Sequence, residues 1–163
     1  MALHQLSFKL PITENNIESL LLENTKSLNE YIVSNHLDTS KMGIYLSTSS
    51  AGINECIQFW KEAIIKTPSF VNPANFPWTL PNAPAAYIAY LLGITGPVYT
   101  FLSNDKSSNE QFLSAYIDFK NEMIEHALIV NLETRNNSLD FKCNLENKMM
   151  VTEKLQTILK VTI

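Results

Sequence analysis

NPANFPWTLPNAPAAYIAYLLGITGPVYTF, residues 72–101, holds five prolines, two glycines and a tryptophan, and no charged side chain. The charge-free run is longer still: between Lys66 and Asp105 there is no Asp, Glu, Lys, Arg or His. Pro73, Pro77, Pro81 and Pro84 forbid a regular strand or a long helix before residue 84. Pro84 suits the first turn of a helix over Ala83 to Leu92, which Gly93 would end at a C′ position. Val98 to Leu102 then reads as a strand. A rigid loop, a short helix and a strand, all without charge, describe a surface meant to be covered or a wall of the core.

The rest of the chain frames that stretch. At 163 residues a single domain, 1–163, is expected, and it can bury a core without disulfides or metal. Charged residues make up 17%, below the usual ~25%. A net charge of −4 with no Lys/Arg cluster excludes an electrostatic grip on nucleic acid and a basic membrane-surface helix. AAYIAYLLGI is too short to span a bilayer. Cys56 and Cys143 fit no CxxC pattern and read as buried, reduced thiols of a cytoplasmic protein, and the N-terminus shows no signal peptide.

Outward from the stretch, hydrophobic periodicity predicts the remaining elements. QLSFK (5–9) alternates as a short strand. Thr13 is placed to cap a helix from Glu14, with Ile17, Leu20, Leu21 and Leu28 on its buried side. Ile44 to Thr48 reads as a strand ending in small hydroxyl residues. A helix from about Ala51 to Lys66 follows, with Ile53, Cys56, Ile57, Trp60 and Ile64 at helical spacing on one face. Ser107 and Glu110 make a capping box for a helix from 108 to about 125, striped by Phe112, Ala115, Tyr116, Phe119 and Met123. ALIVNL (127–132) suits a strand inside a sheet. Leu139 to Leu145 reads as a strand, and Val151 to Ile163 as either a helix or a terminal strand. This order predicts an α/β sandwich of a mixed sheet with helices.

No cofactor or metal is expected. The four glycines form neither GxGxxG nor GxxxxGK[ST], and His4, His36 and His126 are scattered without an HExxH. His126 reads as a favourable charge near the end of a helix rather than a base. Ser47 to Ser50 reads as a strand end and helix cap, since no GxSxG elbow is present. Cys56, set in an apolar stripe, reads as a small inert hydrophobe. Glu122 and Glu125, three apart on the expected helix, read as solvated carboxylates. From the residues alone, no catalytic constellation emerges.

Residues 72–101 resemble the N-terminal half of a β-ketoacyl synthase, the condensing enzyme of fatty-acid and polyketide synthesis. Pro73 with Phe76 and Pro77, Pro81-Asn82, Ala85, Leu92-Gly93-Ile94 and Gly96-Pro97 to Thr100 carry the resemblance. Looser similarity extends it over about 40–132, leaving 133–163 as a divergent tail. Lys41 to Trp60 resembles an earlier strand, turn and helix, though Ser49, Ser50 and Ala51 with a single Gly52 stand where the family has a glycine-rich turn. The resemblance implies a truncated, thiolase-like fold. It also implies a cysteine nucleophile five residues beyond Thr100, where this chain has Asp105. A carboxylate is a poor substitute for a thiolate in a dry acyl site. The family's two histidines belong to a C-terminal half that nothing here resembles.

A non-enzymatic role is therefore expected, similar in this respect to chain-length-factor subunits. By resemblance the partner is a full-length ketosynthase or a second copy, with an acyl carrier protein also in view. The interface candidates are Phe76, Trp78, Tyr87, Tyr90, Tyr99 and Thr100, in a segment the family places at its dimer interface beside the acyl tunnel. The same aromatic side chains could instead fill this domain's own core. Three alternatives stand beside this reading: a stand-alone module binding an acyl chain or small apolar ligand, an enzyme using Asp105 with Ser103 or Ser107, and a degenerate fragment.

Overall fold

The computed structural model describes residues 4–11, 17–102, 109–135 and 138–161. Strand β1 (His4–Pro11) leads to helices α1 (Ile17–Asn24) and α2 (Lys26–Ser34), then to β2 (Met42–Thr48) and α3 (Ile53–Lys66). Three one-turn 3₁₀ helices, each opened by a proline, occupy the following segment. Next come α4 (Ala83–Leu92), β3 (Val98–Leu102) and α5 (Glu110–Lys120). The hairpin of β4 (His126–Arg135) and β5 (Ser138–Asn147) and a last helix α6 (Lys148–Val161) complete the described chain. None of these helices is long and apolar enough to cross a membrane.

The five strands form one mixed sheet in the order β1-β5-β4-β2-β3. β2 lies parallel to both β3 and β4, whereas β5 is antiparallel to β4 and to β1. Strand alternation sends side chains to opposite faces. Ile44, Leu46, Leu128 and Val130 join α1, α2 and α4 in the larger core. Tyr45, Ala127 and Ile129 join α5 and α6 in the smaller one. β4 is apolar along its run because both of its faces are covered. β5, nearer the margin, keeps Leu139, Phe141, Cys143 and Leu145 in the larger core and turns exposed Lys142 to the other side.

Local chemistry explains the sharp corners. Gly93 ends α4 in the left-handed conformation (φ 64°), its N–H bonding back to the helix. Gly96 passes so close to β2 that a Cβ there would stand 2.2 Å from the Met42 carbonyl oxygen. The carbonyl of Pro97 accepts from the Ile44 N–H at 2.8 Å, which starts the β2–β3 pairing.

Several expectations are corrected. The first predicted helix is two, broken at Thr25, whose hydroxyl donates to the Leu21 carbonyl at 2.8 Å. Its buried side is as read, but Thr13 and Glu14 lie outside the described residues. α5 ends at Lys120 rather than near 125. Met123, Glu122 and Glu125 therefore lie in the exposed connection to β4. His126 opens β4 instead of closing a helix. Its Nδ1 is buried without a partner, and burial lowers its pKa, with Glu125 opposing. Of the two readings of the stretch from Val151, the helix is the one found, as part of α6, and Leu139 to Leu145 lies in β5 as expected. The apolar face shared by Ile53, Ile57, Trp60 and Ile64 of α3 looks outward, and only Ala63 of that helix is buried. Periodicity states which residues share a face, not where the face points.

Buried polar groups fasten helices to the sheet. The Tyr45 hydroxyl donates to Asp118 Oδ2 at 2.7 Å, tying β2 to α5. Burial first, and Asp118 second, raise the Tyr45 pKa. Gln111 Nε2 donates to the carbonyls of Tyr45 (2.9 Å) and Val130 (2.6 Å), joining α5 to two strands. Glu146, wholly buried on β5, pairs through Oε1 with Lys154 of α6, while its Oε2 has no partner. Removing one partner of such a pair strands a buried charge. Lys154→Met should therefore cost about 2 kcal/mol, below the ~3–5 of a fully enclosed pair because Lys154 is part-exposed. Urea unfolding measures this, and Glu146→Leu added to Lys154→Met should recover the loss; an unchanged single mutant would contradict the role of the pair.

Candidate functional site

In open α/β sheets, ligands gather at the carboxyl ends of parallel strands, where the chain switches sides. β2 is that switch point here. The chain leaves β2 for β3 on one side and returns to β4 on the other, with α4 and α5 on opposite faces of the sheet. At this end lies an open groove of about 480 Å³. Ser49, Ile53, Cys56 and Ile57 line it from the β2–α3 turn and α3, Pro81 from the proline-rich segment, and Leu102 from β3.

The β2–α3 turn is held by hydroxyls and one carboxylate. Thr48 Oγ1 accepts from the N–H of Ser50 (3.2 Å) and of Ala51 (2.9 Å). Glu133 of β4 accepts from the Ser49 N–H (2.9 Å), from the Ser49 hydroxyl and from the Ser50 hydroxyl (3.0 Å). The turn that was expected to be a strand end and helix cap is thus clamped by Glu133, which sequence reasoning missed. Its partner lies more than eighty positions away, so no local pattern could announce it. Gly52 follows at φ 81°, where a Cβ would stand 2.8 Å from the Thr79 carbonyl oxygen. Thus α3 starts pressed against the proline-rich segment.

Cys56, expected to be buried, is half-buried and lines the groove. Cys143 is buried, and burial raises its thiol pKa. Among the described residues, no three His, Cys, Asp or Glu side chains cluster as metal ligands would. Asp105, Ser103 and Ser107 lie outside the described residues, beyond the end of β3 and before α5.

The six aromatic and hydroxyl candidates fall into three groups. Trp78 meets Tyr87 edge-on at 5.3 Å between ring centroids, and Tyr87 stacks on Tyr90 at 6.2 Å. Trp78 and Tyr87 pack on the larger core, leaving Tyr90 the exposed end of the row. Phe76 is exposed and contacts Phe59 of α3 at 5.8 Å. Tyr99 and Thr100 sit on β3, Tyr99 part-exposed beside Tyr45 at 5.7 Å. The Thr100 hydroxyl is buried and has no hydrogen-bond partner.

β3 is the terminal strand, with no described strand on its far side. Val98, Tyr99 and Leu102 are exposed there and Phe101 half-buried. An apolar edge of this kind is usually blunted by charge, proline or cover.

Glu55, in the first turn of α3, is part-buried with Oε2 unpartnered, and burial raises its pKa above the ordinary 4.5. The folded chain therefore holds this proton more tightly than the unfolded chain. Stability falls as pH rises from 4.5 through the raised value and is level above it. Glu55→Gln should raise Tm at mildly alkaline pH, with the gain vanishing below the ordinary value. Thermal unfolding by circular dichroism checks this, and a gain that is the same at every pH would refute it.

The sequence model of the β-ketoacyl synthase N-terminal domain matches residues 17–156. Among curated proteins none matches in sequence. Of solved structures, a type II PKS acyl-carrier protein in complex with its ketosynthase, bound to the hexaketide, is similar with a TM-score of 0.62 and 17% identity. The match covers 82% of this chain and 46% of that one. The ishigamide ketosynthase/chain length factor is similar with a TM-score of 0.53 and 14% identity, over 64% of this chain and 36% of that one. The chain thus spans less than half the length of the solved structures it matches. With its mixed sheet, its switch point at β2 and a family match over most of its length, the chain belongs to the β-ketoacyl synthase N-terminal domain family and has a thiolase-like, ketosynthase fold.

Proposed function

We propose that the chain is a non-catalytic ketosynthase-like subunit of fatty-acid, polyketide or aryl-polyene-type biosynthesis, which associates with a condensing enzyme or with itself. The observation that carries this reading is the free, apolar edge of β3 in a chain whose expected nucleophile position holds Asp105. Strand edges bind by backbone hydrogen bonds, and exposed side chains set the choice of partner. Val98, Tyr99 and Leu102 supply apolar contact. The uncharged segment behind them leaves no ion to be desolvated. A subunit docked here would bring its groove to the partner and shape the partner's acyl tunnel. An acyl carrier protein is a further candidate partner of the assembled pair.

The groove favours a second reading, a module that itself binds an acyl chain or small apolar ligand. Its volume of about 480 Å³ and apolar walls suit such a ligand. Extraction of the purified chain separates the two: released fatty acid from a monomer favours the module.

Co-expression with a full-length condensing enzyme of the same organism, followed by size exclusion, tests the first reading. Co-elution is expected. Leu102→Lys and Tyr99→Lys should weaken the complex at least tenfold, since each places a charge on the proposed interface. Turnover of malonyl- and acyl-carrier substrates by the purified chain alone would overturn the non-catalytic assignment.

A further inference from the structure

The pair formed by Glu146 and Lys154 is separated from β3 by two strands of the sheet. Glu146 lies opposite Ala127, whose side chain faces the smaller core, so its carboxylate sits beneath α6 and is wholly buried. Oε1 accepts from Lys154 Nζ, and Oε2 is buried with no partner among the described residues. Lys154 follows buried Val151 by three positions and so leaves the same side of α6. Its side chain is 41% exposed, and Nζ stands 5.4 Å from the centre of the Phe112 ring. Phe112 and Lys154 are two walls of an open cavity of about 380 Å³, and Met150 and Ile158 are two more. A buried carboxylate, an accessible amine and an apolar cavity thus meet between α5 and α6.

We propose that Lys154 is a modification site, acylated on Nζ by an acyl thioester whose apolar chain lies in this cavity. A lysine on the surface is a poor nucleophile at neutral pH because it is protonated. Here the proton has a place to go. Glu146 is out of water, and passing one proton along its hydrogen bond with Nζ exchanges two charges for a neutral amine and a neutral acid. The amine lone pair then attacks the thioester carbonyl carbon. The C–N bond forms, the C–S bond breaks and sulfur leaves with the electron pair. Of the three ammonium protons, one stays on the amide, one is held by Glu146 and one goes to the departing thiolate. The product sets a neutral amide beside a neutral acid, so no unpaired carboxylate is left under α6.

The walls select the substrate class. Phe112, Met150 and Ile158 suit a hydrocarbon chain, and a thioester is an electrophile whose sulfur departs readily. Two other lysines serve as comparisons within the chain. Lys66 has a carboxylate near it, Glu62 at 4.0 Å, but is more than half exposed. Lys120 lies over the Tyr116 ring at 5.5 Å, with no carboxylate partner among the described residues. Neither joins a buried proton acceptor to a cavity. The amide formed at Lys154 is stable, so the reaction happens once per chain and creates no catalytic cycle.

Incubation of the full chain near neutral pH with octanoyl-coenzyme A, or with an octanoyl carrier protein, followed by peptide mass spectrometry, tests the proposal. One octanoyl group at Lys154, ahead of Lys66 and Lys120, is expected. The two donors separate the sources of the thioester: label from either supports the site, and label from neither overturns it. The octanoyl group should transfer to Lys154 at least about tenfold faster than acetyl from the same donor, because its chain enters the cavity. Equal rates would overturn the proposal without any variant. Glu146→Gln should slow labelling of Lys154 at least about tenfold while far-UV circular dichroism stays unchanged. Lys154→Arg keeps the buried carboxylate paired and should abolish the label at that position. Label spread evenly over exposed lysines, or a rate indifferent to Glu146→Gln, would also overturn it. The amide survives organic extraction, so it is not counted with fatty acid released from the groove.

Discussion

A strand at the margin of a sheet leaves half of its amides and carbonyls to water. β3 does so with valine, tyrosine, phenylalanine and leucine where lysine or proline would protect it. What precedes the strand fixes its position. Gly96 has no room for a Cβ against Met42, and the Pro97 carbonyl takes the N–H of Ile44. The edge is therefore rigidly presented. Any change in this corner shifts the pairing of β2, and through β2 the seating of both cores.

The two sides of the sheet are fastened differently. α1, α2 and α4 rest on β2, β4 and β5 by apolar burial. α5 and α6 add buried polar ties: Tyr45 to Asp118, Gln111 to two strand carbonyls, and Glu146 to Lys154. Such groups are tolerated because nearly all their polar atoms are paired. Glu133 extends the same device to the groove. One carboxylate holds the serine turn from which α3 departs, so the direction of α3 and the shape of the groove depend on β4.

Much of this was legible in the sequence where local rules act alone. Gly93 and Pro84 bounded α4, and five consecutive residues bounded β3, because turn chemistry is set by the residues themselves. ALIVNL announced a strand covered on both faces, and it lies between β5 and β2. The orientation of α3 was not legible. Its stripe has the spacing of a buried face, and only tertiary packing reveals that Phe59 and Ala63 face inward instead. Cys56 was misplaced with it. The Glu133 clamp and the Gln111 bridge were invisible for a different reason: they join residues far apart in sequence whose types carry no motif. Asp105, which the resemblance set in the nucleophile's place, lies outside the described residues and enters the account through sequence alone.

Hydrogen–deuterium exchange at the amides of Val98–Leu102 tests the central claim most directly. The outward amides of β3 should exchange rapidly in the isolated chain and become protected when the chain is mixed with a condensing enzyme or concentrated into its own dimer. Amides already protected in the dilute monomer, or equally exposed in every mixture, would mean that this edge takes no partner.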